Sequence, residues 1–130
     1  MSTSPQSRPL SIALTVVGVI FIFGIYPLTI LWPSGWTWQP DQPAYLQMIL
    51  GIYATLGVFL IRAAKNPAQH LSLIWFTIWS SLVHAGIMIW HSFTDTGMRG
   101  HIWGDDAALI VVAVVLALLV RPLSATPRTA

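Results

Sequence analysis

Four apolar stretches, Leu10–Trp32, Ala44–Ile61, Leu71–Trp90 and Ala107–Val120, occupy most of this chain, and none contains an aspartate, glutamate, lysine or arginine. At 1.5 Å of rise per residue, about 20 helical residues cross the hydrocarbon layer of a bilayer. The first and third stretches reach that length unaided. The second and fourth reach it once their helices extend into the flanking residues. The pattern predicts an all-α, membrane-spanning antiparallel four-helix bundle. It is one transmembrane domain over 1–130, with spans near 10–32, 44–61, 71–90 and 105–120 and flexible ends at 1–7 and 122–130. Composition agrees: 55% of residues are hydrophobic and only 8% charged, against roughly 25% charged in a soluble domain. Ten charged residues cannot coat a globule of this size, whereas a lipid-facing surface needs no such coat.

The same composition excludes several functions. Glutamate is absent, Lys65 is the single lysine and the net charge is +2, so no basic face is available for nucleic acid. The chain has no cysteine, which removes thiolate chemistry, cysteine-ligated metals and lipidation at cysteine.

Helix ends are marked by prolines and polar residues. Pro9 opens the first helix, Asp41 precedes the second, and Asn66-Pro67 reads as an N-cap followed by a first-turn proline, starting the third helix early. Asp105 stands where the fourth helix needs a cap, with Asp106 favoured by the helix dipole. Arg121-Pro122 is expected to close that helix. Pro27 predicts a kink or a loosened last turn in the first span.

Arg8, Arg62, Lys65, Arg121 and Arg128 fall on one side of a four-span arrangement and only Arg99 on the other. The bias places both termini and the 62–70 loop in the cytoplasm and disfavours dual topology. Trp32, Trp36, Trp38, Trp90 and Trp103 gather at the opposite ends of the spans, as interfacial anchors do. The first apolar stretch is too long for a signal-peptide core and lacks a small-x-small cleavage site, so it is expected to remain as a span.

The third helix carries the one polar stripe. Thr77, Ser80, Ser81, His84, Met88 and His91 recur at helical spacing, with His70 continuing the line. The stripe should face inward, because an unpaired polar group in lipid costs several kcal/mol. His84 lies about 9 Å inside the outer interface, and an ionisable residue at that depth marks a candidate site. Its simpler role is an inter-helix hydrogen bond. The ligand-binding candidates are therefore His84, Met88, His91, Ser81 and Thr77. His84 and His91 lie about 10 Å apart along the axis and cannot share one metal unaided. A haem would need Met88 or a second copy of the chain as the other ligand.

Between the third and fourth spans, His91, Asp95, His101, Asp105 and Asp106 offer imidazole and carboxylate donors, so His91, His101, Asp105 and Asp106 are candidate ligands for a divalent metal. Their spacing fits no recognised motif, and Arg99 sits among them. The Trp- and Pro-rich segment at 32–40 reads as interfacial anchoring, with an aromatic lid over an apolar ligand as the sharper alternative. Small residues mark packing faces in lipid: Ser11, Thr15 and Gly18; Gly51, Ala54, Thr55 and Gly57; Ala113 and Ala117. Gly51 and Ala113 are expected to be the sensitive positions.

The blocks Met48–Arg62, Trp79-Ser-Ser-Leu-Val-His84 and Arg99-Gly-His-Ile-Trp-Gly-Asp105 resemble those of a family of small bacterial membrane proteins of unknown function. The resemblance covers roughly residues 41 to 119 and includes His84, His101, Gly104 and Asp105. It implies a four-helix protein of the bacterial inner membrane and carries no activity. The residues themselves favour a non-enzymatic protein, an accessory subunit of a larger membrane complex or a homo-oligomer, with no cofactor required. The alternative is a binder or carrier of a small apolar ligand, haem or metal through the third helix and the outer loop. Proton-coupled export through a membrane acid is disfavoured, since no span holds one.

Overall fold

A computed structural model of the chain describes residues 4–5, 7–38 and 41–125. Four helical segments in it, Arg8–Leu31, Pro43–Ala64, Leu71–Thr94 and Thr96–Ser124, are long and apolar enough to cross a membrane. No strand occurs among the described residues. The fourth segment begins with a 3-10 stretch, Thr96–Trp103, and continues as the α-helix Asp105–Ser124.

Proline sets three of the boundaries. Trp32, Gln42 and Asn66 each precede a proline, and each leaves helical geometry, with φ/ψ of −140°/67°, −130°/70° and −150°/79°. The proline ring disfavours the α region for its predecessor. The following proline then opens the next element: the short helix Pro33–Trp36, the second span, and the 3-10 turn Pro67–Gln69. Gln42, not Asp41, therefore precedes the second helix. Asn66 makes no side-chain cap, and the third α-helix begins only at Leu71.

Two further proline expectations are corrected. Loosening in the first span lies before Pro27, as a π-helical turn over Ile20–Gly24 in which the Ile25 N–H reaches back to the Ile20 carbonyl. A proline disturbs the carbonyl four residues earlier, here Phe23, which lies inside that turn. Pro122 does not end the fourth helix, which runs on to Ser124. The last turn is held from outside: the Trp75 indole donates to Ser124 Oγ (3.3 Å), and that hydroxyl donates to the Val120 carbonyl (3.2 Å). Of the ends expected to be flexible, Pro122–Ser124 are thus helical. Residues 1–3, 6 and 126–130 lie outside the described residues.

The first span packs along the second and the third along the fourth; the second and third touch at few points. Apolar surfaces gain little from each other in lipid, so close backbone approach has to hold such pairs. Gly18 and Gly57 supply it. A Cβ on Gly18 would stand 2.7 Å from the Gly57 carbonyl oxygen, and one on Gly57 2.6 Å from that of Gly18. Ser11 Oγ adds a hydrogen bond to the Ala64 carbonyl (2.5 Å). Thr77, Ser81 and Ala85, four residues apart, are buried on the third helix, as are Leu109, Ala113 and Leu116 on the fourth. The expectation for Gly51 fails: it is exposed, and a Cβ there would meet nothing within 4 Å. The helix turns its other glycine, Gly57, toward the first span.

The main apolar core, including Leu10, Leu14, Leu60, Ile74, Leu116 and Val120, fills the end of the bundle that holds the basic residues. The Trp-rich end has a smaller cluster, Ala85, Met88 and Leu109, covered by Trp38 and Tyr53. Gly57→Leu should lower stability by about 1–3 kcal/mol through overpacking, while Gly51→Leu should stay within about 0.5 kcal/mol. Thermal unfolding of both variants in detergent checks this; equal losses would show that the crossing point is misplaced.

Candidate functional site

Polar groups concentrate at the Trp-rich end. The 3-10 stretch starts at Asp95, whose Oδ1 accepts from the Gly97 N–H (2.9 Å), and it ends at Gly104. A Cβ on Gly104 would collide with the Gly35 carbonyl. The loop before the fourth helix and the short helix Pro33–Trp36 are therefore in backbone contact. That contact brings Trp38 to Asp105.

Asp105 gathers three donors. Its Oδ2 accepts from the Trp38 indole N–H (2.7 Å), and its Oδ1 from His101 Nδ1 (3.0 Å) and the Asp106 backbone N–H (3.1 Å). The Trp38 and His101 rings lie 4.2 Å apart at 39°, and His101 is buried. The expected N-cap role of Asp105 is thus corrected. Gly104 holds the cap position without a side-chain bond, and Asp105, in the first turn, is spent on tertiary contacts. Asp106 is deeper, 1% exposed. Its Oδ2 accepts from Ser92 Oγ at 3.4 Å. Asp106 Oδ1 and the Trp36 indole nitrogen are buried with no hydrogen-bond partner among the described residues.

A second pair lies one layer further in. Tyr53 Oη and His84 Nδ1 are 2.6 Å apart, bridging the second and third helices where these otherwise barely meet. The phenol donates if Nδ1 is bare; the imidazole donates if Nδ1 carries the proton. Phe21 of the first span holds the Tyr53 ring edge-on, with centroids 4.9 Å apart at 83°. Tyr53 and Trp38, the indole partner of Asp105, cover the same Ala85–Met88–Leu109 cluster, so the two polar groups adjoin.

The stripe on the third helix is largely inward. Thr77, Ser81 and Met88 are buried and His84 is half-buried, but His91 is exposed. The four metal candidates do not converge. His101 pairs with Asp105, Asp106 with Ser92, and His91 stands apart; no group of three such side chains able to hold a metal ion occurs among the described residues. Of the tryptophans read as anchors, Trp32, Trp90 and Trp103 are exposed, whereas Trp36 and Trp38 are half-buried and Trp38 serves Asp105. Tyr53 and Ser92 were absent from the candidates. A tyrosine in the middle of a span was the available signal for the first, since its hydroxyl must find a partner there.

The remaining feature is an open apolar groove of about 670 Å³ lined by Met48, Gly51, Ile52, Thr55, Leu56, Phe59 and Leu73. Thr55 Oγ1 donates to the Gly51 carbonyl (2.9 Å), so the groove's hydroxyl is satisfied within its own helix.

The model of DUF6632, described as a family of unknown function, matches residues 4–129. Comparisons with curated proteins and with solved structures found no match.

Asp105→Ala should destabilise the protein more than Tyr53→Phe. It orphans two side-chain donors, Trp38 and His101, at roughly 1–3 kcal/mol each where buried. The tyrosine change removes one inter-helix bond worth about 0.6–2 kcal/mol. Circular dichroism melts of the two variants give the order, and the reverse order would displace Asp105 as the organising group.

Proposed function

The chain belongs to DUF6632, a family of unknown function, and we propose that it is a non-enzymatic multi-pass protein of a bacterial inner membrane that works by associating with other membrane helices through its second span. One observation carries this reading. The second span is the least covered helix, with 11% of its central window buried against 22–33% in the other three. The groove lies along its uncovered side. Small residues let helices approach closely in lipid, and Gly51 presents its bare Cα on that side with nothing of the same chain against it. The occupant is a second copy or a helix of a larger membrane complex.

The orientation proposed from charge has both termini in the cytoplasm. Arg8, Arg62, Lys65 and Arg121 lie at one end of the described helices and Arg99 at the other, which supports it.

The Tyr53–His84 pair favours a second reading, a binder of a small apolar ligand. With Nδ1 taken by Tyr53, His84 Nε2 has no hydrogen-bond partner among the described residues, and a membrane-dissolved molecule carrying a hydrogen-bonding group would satisfy it.

Native mass spectrometry of gently extracted protein separates the two. An assembly that Gly51→Trp reduces to monomers, with the melting curve unchanged, supports association. An assembly indifferent to Gly51→Trp rules out this face. A monomer carrying a defined small-molecule mass that His84→Ala removes would establish the ligand reading instead. A C-terminal alkaline phosphatase fusion should be inactive and a C-terminal fluorescent fusion bright if the terminus is cytoplasmic; the opposite pattern inverts the proposed orientation.

A further inference from the structure

Asp105 and Asp106 are neighbours in sequence with opposite circumstances. Asp105 accepts from an indole, an imidazole and a backbone amide. Asp106, 1% exposed, has the Ser92 hydroxyl at 3.4 Å from Oδ2, and its Oδ1 has no partner among the described residues. Asp105 and His101 are the titratable neighbours of Asp106, and on the third helix the neutral Ser92 faces it. His101 is already committed to Asp105.

A helix N-terminus favours an anion by about 0.3–1 kcal/mol at an exposed site. Burying a carboxylate with so few donors costs several kcal/mol, and a second negative charge beside Asp105 adds to that. The second set of terms is the larger. From this we infer that Asp106 is a proton-binding site of the bundle, holding a neutral carboxyl at mildly acidic pH while Asp105 carries the negative charge. Protonation reverses the Ser92 bond: the proton resides on Oδ2, which then donates to Ser92 Oγ instead of accepting from it, and Oδ1 is left as a carbonyl oxygen. An uncharged carbonyl tolerates the lack of a partner far better than a charged oxygen does. A proton fits better than a cation. A metal or sodium ion needs several oxygen ligands at once, whereas Asp106 Oδ1 is the one buried side-chain oxygen without a hydrogen-bond partner among the described residues. Adjacent carboxyls whose surroundings separate their protonation states divide acid and base roles between them. Releasing this proton would place charge between the third and fourth helices.

Infrared difference spectroscopy of the full chain in lipid, between mildly acidic and alkaline pH and in sodium-free buffer, tests this. The expected result is a carbonyl stretch of a protonated carboxylic acid at mildly acidic pH, where a free aspartate is already ionised, lost at alkaline pH and absent throughout in Asp106→Asn. That variant, a neutral isostere, should fold and melt like the parent. The inference is overturned if no such band exists at mildly acidic pH, which would leave an ionised Asp106 satisfied by internal water. It is equally overturned if the band survives Asp106→Asn, if sodium ions abolish it at mildly acidic pH, or if Asp106→Asn prevents folding.

Discussion

Hydrocarbon offers neither water to satisfy polar groups nor a hydrophobic force to press helices together. Everything that holds these four helices in place is a response to that. At the basic end the response is steric. Gly18 and Gly57 let two backbones meet, and a compact apolar core surrounds the crossing. At the Trp-rich end it is polar. Asp105 draws the 3-10 loop, the Trp38 segment and the start of the fourth helix to one carboxylate, and Tyr53 reaches His84 across an otherwise open seam. The two ends are built on different physics, and the carboxylate–indole–imidazole contacts belong to the polar one.

The spans were legible because uncharged stretches of that length admit few other structures; the helix ends were legible only in part, since prolines open three elements here whereas Pro27 and Pro122 lie inside helices. Which face of each helix looks inward was harder to read. In a soluble helix the buried side is the apolar one; in lipid both sides are apolar, so Gly51 and Gly57 look alike in the sequence, and only the second touches a neighbour. His84 stood out because it is polar in a span. Tyr53 did not, since a tyrosine passes for an apolar residue until its hydroxyl is placed. Asp105 was misread for a related reason. Local spacing names a cap, whereas its actual partners include Trp38, 67 residues away in the chain. The loosened turn ahead of Pro27 was foreseen in kind but not in position, because proline acts on the turn before it.

The sparse contact between the second and third helices gives the bundle a weak seam, crossed at mid-depth by the Tyr53–His84 bond. The groove follows the second helix on its uncovered side. Association in the membrane and binding of a small molecule would therefore both draw on the same underpacked helix, though on different faces of it. This shared origin is why the two readings call for an experiment that reports assembly and bound mass together.

The Gly35–Gly104 contact and the Trp38–Asp105 bond lie three residues apart on one segment and are adjacent on the other. One attachment point leaves a body free to swivel; two fix its heading as well as its position. The connections between the first and second helices and between the third and fourth are in that sense bolted together at the Trp-rich end. Any motion that opens this mouth lifts both attachment points as a single plate, carried on the long helices.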